Sequence, residues 1–333
     1  MQGTNRIIIN TVVQYIRTII NMVLSLYSSR LVLEILGVED YGIYALVGGV
    51  VSMLSFLNNS LVASTQRFLS VNQGKGNLEN LKSVFNNCLI LHIVLGFFIT
   101  IVLECLTPFL FNGFLNIPAG RSEVAGTLYQ LVVWMVYMTF VASPFRALLV
   151  SRENIVYVSI IDVIDGVLKV VLVLLLPLLS ADKLMSYGRI MFIIQLFNLV
   201  SFSGYCYVKY AECTLPNFRT FSLSYLKEMF AFTGWIIYST GVIAIRTQGF
   251  AIVLNRALGA VVNAAYGVGS QISGMIGFVS SSFNNAINPQ LMASEGGGDR
   301  NRMLRLAEAQ SKFSFLLLAM LGIPTMFEMQ TLL

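Results

Sequence analysis

The chain is poor in charge and in the residues that usually carry chemistry. Only 11% of its 333 residues are Asp, Glu, Lys or Arg, and it holds one histidine, four cysteines and seven prolines. So little charge beside 56% hydrophobic residues excludes a water-soluble globule, because too few polar side chains exist to cover its surface. The lone His92 and the cysteines Cys88, Cys105, Cys206 and Cys213 show no metal-ligand spacing; the cysteines read as small apolar packing residues, and no metal or cofactor is expected. No GxSxG elbow, phosphate loop or HExxH helix occurs, so no enzyme signature stands out. Nor is there a basic cluster interleaved with exposed aromatics, which leaves the net charge of +5 without a nucleic-acid meaning.

Long apolar runs fill the space that charge leaves. A helix needs about 20 apolar residues to cross the hydrocarbon of a bilayer. Runs of that kind predict spans near 8–29, 43–63, 84–112, 126–149, 155–179, 187–208, 233–254, 264–286 and 312–333. They are continuous rather than alternating, which favours helices over a barrel. Arg17 interrupts the first run and no small-residue cleavage site follows, so that run reads as a retained span. Lys and Arg are distributed unevenly. The N-terminal tail and the even-numbered loops hold Arg6, Arg67, Lys75, Lys82, Arg146, Arg152, Lys209, Arg219, Lys227, Arg300, Arg302, Arg305 and Lys312. The opposite side holds Arg30, Arg121, Lys183, Arg189 and Arg256. The positive-inside rule then puts the N-terminus and the even loops in the cytoplasm, as in a multi-pass protein of the inner (cytoplasmic) membrane.

Residues 36–76 are echoed without a gap at 258–298, with identities at Leu36/Leu258, Gly37/Gly259, Tyr44/Tyr266, Met53/Met275, Phe56/Phe278, Ser60/Ser282, Leu69/Leu291, Gly74/Gly296 and Gly76/Gly298. That is above the roughly three or four matches that chance gives two apolar stretches of this length. The echo maps span 2 onto span 8, so the repeated unit is six helices. An even number returns the chain to its starting side, which predicts two parallel bundles about a pseudo-two-fold axis along the membrane normal. The expected division is an N-terminal six-helix lobe at 1–208, a linker at 209–232 and a second lobe at 233–333. Span 3 would map onto 306–334, so this second lobe is expected to be truncated after about three helices.

Polar residues inside the spans mark candidate sites. Asn10, Gln14, Arg17 and Asn21 share one face of span 1. An arginine at mid-helix costs about 2.5–3.5 kcal/mol to insert, so it faces a partner or a cavity rather than lipid. Two readings of Arg17 stand: an interhelical ion pair with Asp162 or Asp165, or an anion contact in a central cavity. Span 7 is the counterpart of span 1, and there Arg246 lies two turns beyond the position that maps onto Arg17. Two arginines at staggered depths would suit the two groups of a diphosphate; snorkelling to the outer interface is the plainer reading of Arg246. Ser52, Ser55, Asn58 and Asn59 in span 2, with Gln271, Ser281, Asn285 and Asn288 in span 8, suit either sugar contacts or interhelical hydrogen bonds. In span 5, Asp165 and Lys169 form a self-neutralising i,i+4 pair, which leaves Asp162 as partner of a cavity arginine or as a coupling-ion site. Glu104 and His92 have no partner the sequence identifies. Gly74-Lys75-Gly76 and Gly296-Gly297-Gly298 read as one tight turn in two copies, without the strand a phosphate loop requires.

The segment Leu36-Gly37-Val38-Glu39-Asp40-Tyr41-Gly42-Ile43-Tyr44 resembles bacterial polysaccharide biosynthesis proteins of the O-antigen flippase (Wzx) type. These sit in the superfamily that also holds multidrug-and-toxin extruders (MATE) and the lipid II flippase. Leu258-Gly259, Ala264-Ala265-Tyr266-Gly267 and Asn288-Pro289-Gln290-Leu291 look like the matching motifs of the second half. The resemblance implies an all-α membrane protein on a MATE-like twelve-helix plan. Its expected work is to carry an undecaprenyl-diphosphate-linked oligosaccharide to the outer leaflet by alternating access, among polysaccharide polymerase or assembly proteins. Cationic cavity residues are typical of such proteins, and Arg17 and Arg246 sit where they are expected. Three other readings remain: a cation-coupled drug extruder, for which span 1 offers no carboxylate; a membrane polymerase or ligase, for which the longest outer connection (113–125) is short; and a non-transporting scaffold.

Overall fold

The computed structural model describes residues 2–52, 55–111, 117, 119–178, 182–217 and 223–327, with the side chains of 2–7, 50–52, 55 and many positions between 223 and 275 left out. Among the described residues the chain is helical and holds no strand. Its long helices are α1 (Gln2–Ser52), α2 (Ser55–Gly74), α3 (Leu78–Phe109), α4 (Ser122–Ser151), α5 (Ile155–Leu175), α6 (Lys183–Lys209), α7 (Leu223–Gly296) and α8 (Arg300–Phe327). Five described helices are long and apolar enough to cross a membrane: 8–49, 78–109, 122–151, 183–209 and 300–327. The chain is thus a multi-pass membrane protein. Helix α5 has the length but carries Asp162, Asp165 and Lys169, more charge than a lipid-facing helix tolerates.

The first two expected spans are separated by one residue rather than a loop. Gly37 takes φ 81 and ψ 170, a backbone region open essentially to glycine, and the helix kinks there. The Leu-Gly motif is therefore the break between spans 1 and 2. Spans 7 and 8 both fall within α7. Arg219, the side chains of Ser52, Ser55 and Gln271, and the last residues of the ninth span lie outside the described residues.

Helices α1–α6 pack around two apolar cores. One gathers Phe68, Phe85, Phe145, Leu148, Cys206 and Met229 at the basic end, the end that carries Arg67, Lys75, Arg152 and Arg300. The other gathers Val47, Leu128, Tyr129, Val133, Leu184 and Tyr187 at the opposite end. Between them lies a polar belt with Asp162, Asp165, Gln195 and Asn198. At the far end Arg121 is gripped by Asp40 and Asp182 together. Partial burial works to raise the Asp182 carboxyl, but hydrogen bonds from the Met185 N–H and from Arg121 outweigh it and hold the group below the usual carboxylate range.

The repeat is visible as contact. Gly74 ends α2 and Gly296 ends α7, and the two helices meet there backbone to backbone. A methyl on Gly74 would lie 1.9 Å from the Ala293 carbonyl oxygen, and one on Gly296 would lie 1.9 Å from the Val71 carbonyl oxygen. Val71 and Ala293 are themselves partners at the repeat spacing. The turns that follow match as well: Gly76 and Gly298 both take positive φ, at 71 and 77. Asn77 accepts from the Asn80 N–H at 3.1 Å and Asp299 from the Arg302 N–H at 3.0 Å. Such reciprocity is what a two-fold axis between the halves requires, and the axis passes through this contact.

Overpacking a close helix contact costs about 1–3 kcal/mol. Gly74→Ala and Gly296→Ala are each expected to lower the thermal unfolding midpoint of the detergent-purified protein. Gly234→Ala, where the added methyl meets open space, is expected to leave it in place.

Candidate functional site

Helices α4 and α5 form a hairpin across the turn 152–154, which sets Arg146 level with Asp162. The Arg146 guanidinium binds Asp162 with both arms: Nη1 donates to Oδ1 at 2.8 Å and Nη2 to Oδ2 at 2.7 Å. Arg17 from α1 donates through Nη1 to the same Oδ2 at 2.9 Å. Asp162 is 16% exposed and Arg17 21%, whereas Arg146 is 39% exposed, so one carboxylate holds one cation largely out of water and a second at the edge of it. One turn along α5, Asp165 accepts from Lys169 at 2.6 Å and from Asn198 at 2.6 Å. The cluster therefore sets three cations against two carboxylates, a formal surplus of one positive charge. No carboxylate in it is left uncompensated.

Asp162 lies on the wall of three cavities. The largest, about 1040 Å³, is a mostly apolar cleft between α1 and the pair α7–α8, lined by Arg17, Asn21 and Asp162 on one side and by Phe278, Leu317 and Met320 on the other. A second, about 430 Å³, lies between α1, α5 and α6, with Asn21, Ser25, Ser28, Tyr41 and Tyr44 on its wall. A third, about 380 Å³, faces Arg146 and is lined by amides and hydroxyls, including Asn58, Asn59, Ser143 and Gln195.

The cleft narrows toward the basic end. There the Tyr15 hydroxyl donates to the Val279 carbonyl at 2.9 Å, tying α1 to α7. Glu153, in a left-handed turn at φ 58, bridges the same helices. Its carbonyl accepts from Asn10 Nδ2 at 3.1 Å and its carboxylate from Gln290 Nε2 at 2.9 Å.

The sequence-derived candidates divide. Arg17, Asn21, Asp162, Asp165 and Lys169 come together at the cleft and its chambers. Arg17 is paired with Asp162 and also lines the cleft. Asn10 and Gln14 do not join it. Both are buried, and Asn10 is spent on the Glu153 turn at the basic end. Arg246 and Asn285 are exposed on α7 and do not line the Arg17 cleft. The paired-arginine geometry thus does not form through Arg246, because matching positions by the repeat fixes a place along a helix but not which way its side chain faces. The second arginine is Arg146, which sequence reasoning had assigned to a loop. Glu104 accepts from Gln130 at 2.9 Å, and His92 sets Nδ1 2.9 Å from the Cys88 carbonyl, which requires the proton on that nitrogen.

The family model for polysaccharide biosynthesis proteins matches residues 4–293. No curated protein matches. Among solved structures, a MATE transporter from Vibrio cholerae superposes with TM-score 0.83 at 13% identity, over 98% of this chain and 74% of its own. A MOP-superfamily transporter from Pyrococcus furiosus, described as having a binding pocket of reverse polarity that suggests a different function, superposes with TM-score 0.80 at 15% identity, over 98% of this chain and 73% of its own. A MATE in the straight conformation gives TM-score 0.80 at 16% identity, over 99% and 74%. At these identities the likeness establishes the fold: a MATE-like, all-α transporter architecture.

Removing one partner from a buried ion pair is far more costly than replacing the whole pair. Asp162→Ala strands two arginines and is expected to cost about 3 kcal/mol of stability, read as a drop in the unfolding midpoint of the purified protein. Arg17→Ala leaves Asp162 held by both arms of Arg146, so a much smaller drop is expected.

Proposed function

The chain belongs to the polysaccharide biosynthesis protein family, and we propose that it moves an undecaprenyl-diphosphate-linked oligosaccharide across the cytoplasmic membrane by alternating access. The observation that carries the reading is the Arg17–Asp162–Arg146 cluster with its surplus positive charge: Arg17 and Asp162 line the large apolar cleft between the halves, and Arg146 faces the adjoining polar chamber. An amphiphile with an anionic head and a hydrocarbon tail matches that combination. The diphosphate competes with Asp162 for the arginines, where charge-assisted and bidentate bonds to phosphate oxygens are strong. The tail stays in the lipid along Ile19, Met22, Met320 and Leu321.

Orientation follows from the Lys and Arg distribution, which makes the basic end cytoplasmic. The Gly74–Gly296 contact and the Glu153 bridge then close the cytoplasmic side, while the cleft lies beyond them. Alternating access requires that contact to open when the substrate loads. The other members of the assembly machinery, polymerase included, would meet the carrier at the outer face.

A drug extruder needs an unpaired carboxylate to attract a cationic compound. Asp162 and Asp165 are both neutralised by neighbours here, so the flippase reading is favoured.

In cells that depend on this protein, Arg17→Ala is expected to abolish surface polysaccharide while the variant persists in the membrane at the normal level. Polysaccharide output at the unaltered level would remove Arg17 from the transport path.

A further inference from the structure

Two features are unexplained by an anion site in the cleft. The first is the pair Tyr41 and Tyr44 of the motif 36–44, in which Gly37 makes the kink and Asp40 grips Arg121. The second is Asn21, whose Oδ1 is buried without a hydrogen-bond partner among the described residues. Both lead to the 430 Å³ chamber. Tyr41 and Tyr44 of the motif line it, opposite Ser25 and Ser28 of α1, and Asn21 stands where the chamber meets the cleft.

Its chemistry is distinctive. The neutral polar groups on its wall are hydroxyls and one carboxamide, set among tyrosine rings and the aliphatic Leu24, Val32 and Met191, with Tyr44 edge-on against Tyr187 at 4.9 Å between centroids. The carboxylates on its wall are already paired: Asp165 is bound by Lys169 and Asn198, and Asp162 by the two arginines. A cation would find no free carboxylate, and an apolar group would strand the serine and tyrosine hydroxyls. A neutral polyhydroxylated ring satisfies both demands, offering hydroxyl donors to the polar atoms and C–H faces to the tyrosines. At about 430 Å³ the chamber lies within the usual range of small-molecule sites. Position fits too. Asn21 is one helical turn from Arg17, a rise of about 6 Å, which is the place a sugar attached to a diphosphate at Arg17 would occupy.

We propose that the chamber between α1, α5 and α6 is a sugar subsite that holds the glycan residue next to the diphosphate, with Tyr41, Tyr44, Ser28 and Asn21 as its contacts. This rests on the flippase reading and deepens it: the arginines recognise the anion, and the motif tyrosines recognise what is attached to it. Net hydrogen-bond contributions of about 1 kcal/mol correspond to about fivefold in affinity each, so two contacts favour a glycosylated lipid by about 25-fold.

The test is native mass spectrometry of the purified full chain with two probes, undecaprenyl diphosphate and undecaprenyl-diphosphate-N-acetylglucosamine. The unaltered protein is expected to retain the glycosylated probe about 25-fold better. Tyr41→Phe and Ser28→Ala, which remove single hydroxyls and little else, are each expected to cut that preference several-fold without weakening the sugar-free probe. Arg17→Gln is expected to weaken both probes alike. Equal binding of the two probes by the unaltered protein, or a preference that survives both hydroxyl variants, overturns the subsite and leaves the anion site standing. Binding of neither probe overturns the flippase reading and the subsite with it.

Discussion

Two arginines closing on one carboxylate, Asp162, set the terms for the rest of the structure. Charges at this depth are tolerated only when paired, and three of the helices that meet here, α1, α4 and α5, each contribute one charged group to the triad. The pairing explains why an apolar protein carries a polar belt between two apolar cores, and why α5 carries more charge than a lipid-facing helix. It also leaves the cluster with an excess of positive charge, Arg17 lying on the cleft and Arg146 on the adjoining chamber. A buried pair of equal charges would be inert toward a ligand; a carboxylate shared between two cations leaves binding capacity over.

The second organising constraint is the backbone contact at Gly74 and Gly296. It brings the two halves together at the basic end, on the axis that relates them, and lets them diverge into the cleft beyond. Only glycine permits that approach, since either carbonyl oxygen would collide with a side chain. The site and the contact thus form one arrangement. The cluster sits on α1, α4 and α5 of the first half, the opposing wall comes from α7 and α8, and the glycines fix the hinge end of the space between them.

Much of this was legible in the sequence, and the rest was hidden for identifiable reasons. Long apolar runs declare spans because bilayer thickness sets their length. The 222-residue echo gave the symmetry, and its glycines turned out to be the contact itself. The Leu-Gly motif marked the break between spans 1 and 2 because its glycine takes a backbone conformation others avoid. Arg17 with Asp162 was one of two pairings considered, since spacing along a helix says which residues share a face but not what that face meets. Arg146 was missed because it lies near the end of its helix and was counted as a loop cation. The hairpin arithmetic that sets it level with Asp162 needed only the turn at 152–154, and was the available signal. Arg246, Asn285, Asn10 and Gln14 lie off the cleft that Arg17 lines, because rotation about a helix axis and burial against neighbouring helices depend on contacts that a linear reading does not supply.

The polarity of the cleft is the central claim, and transport in proteoliposomes tests it most directly. A fluorescent undecaprenyl-diphosphate-linked oligosaccharide and the cationic dye ethidium would be presented side by side to the purified protein. The account predicts that the anionic lipid reaches the opposite leaflet and that the dye does not cross above the protein-free rate. Movement of the dye without movement of the lipid would contradict it.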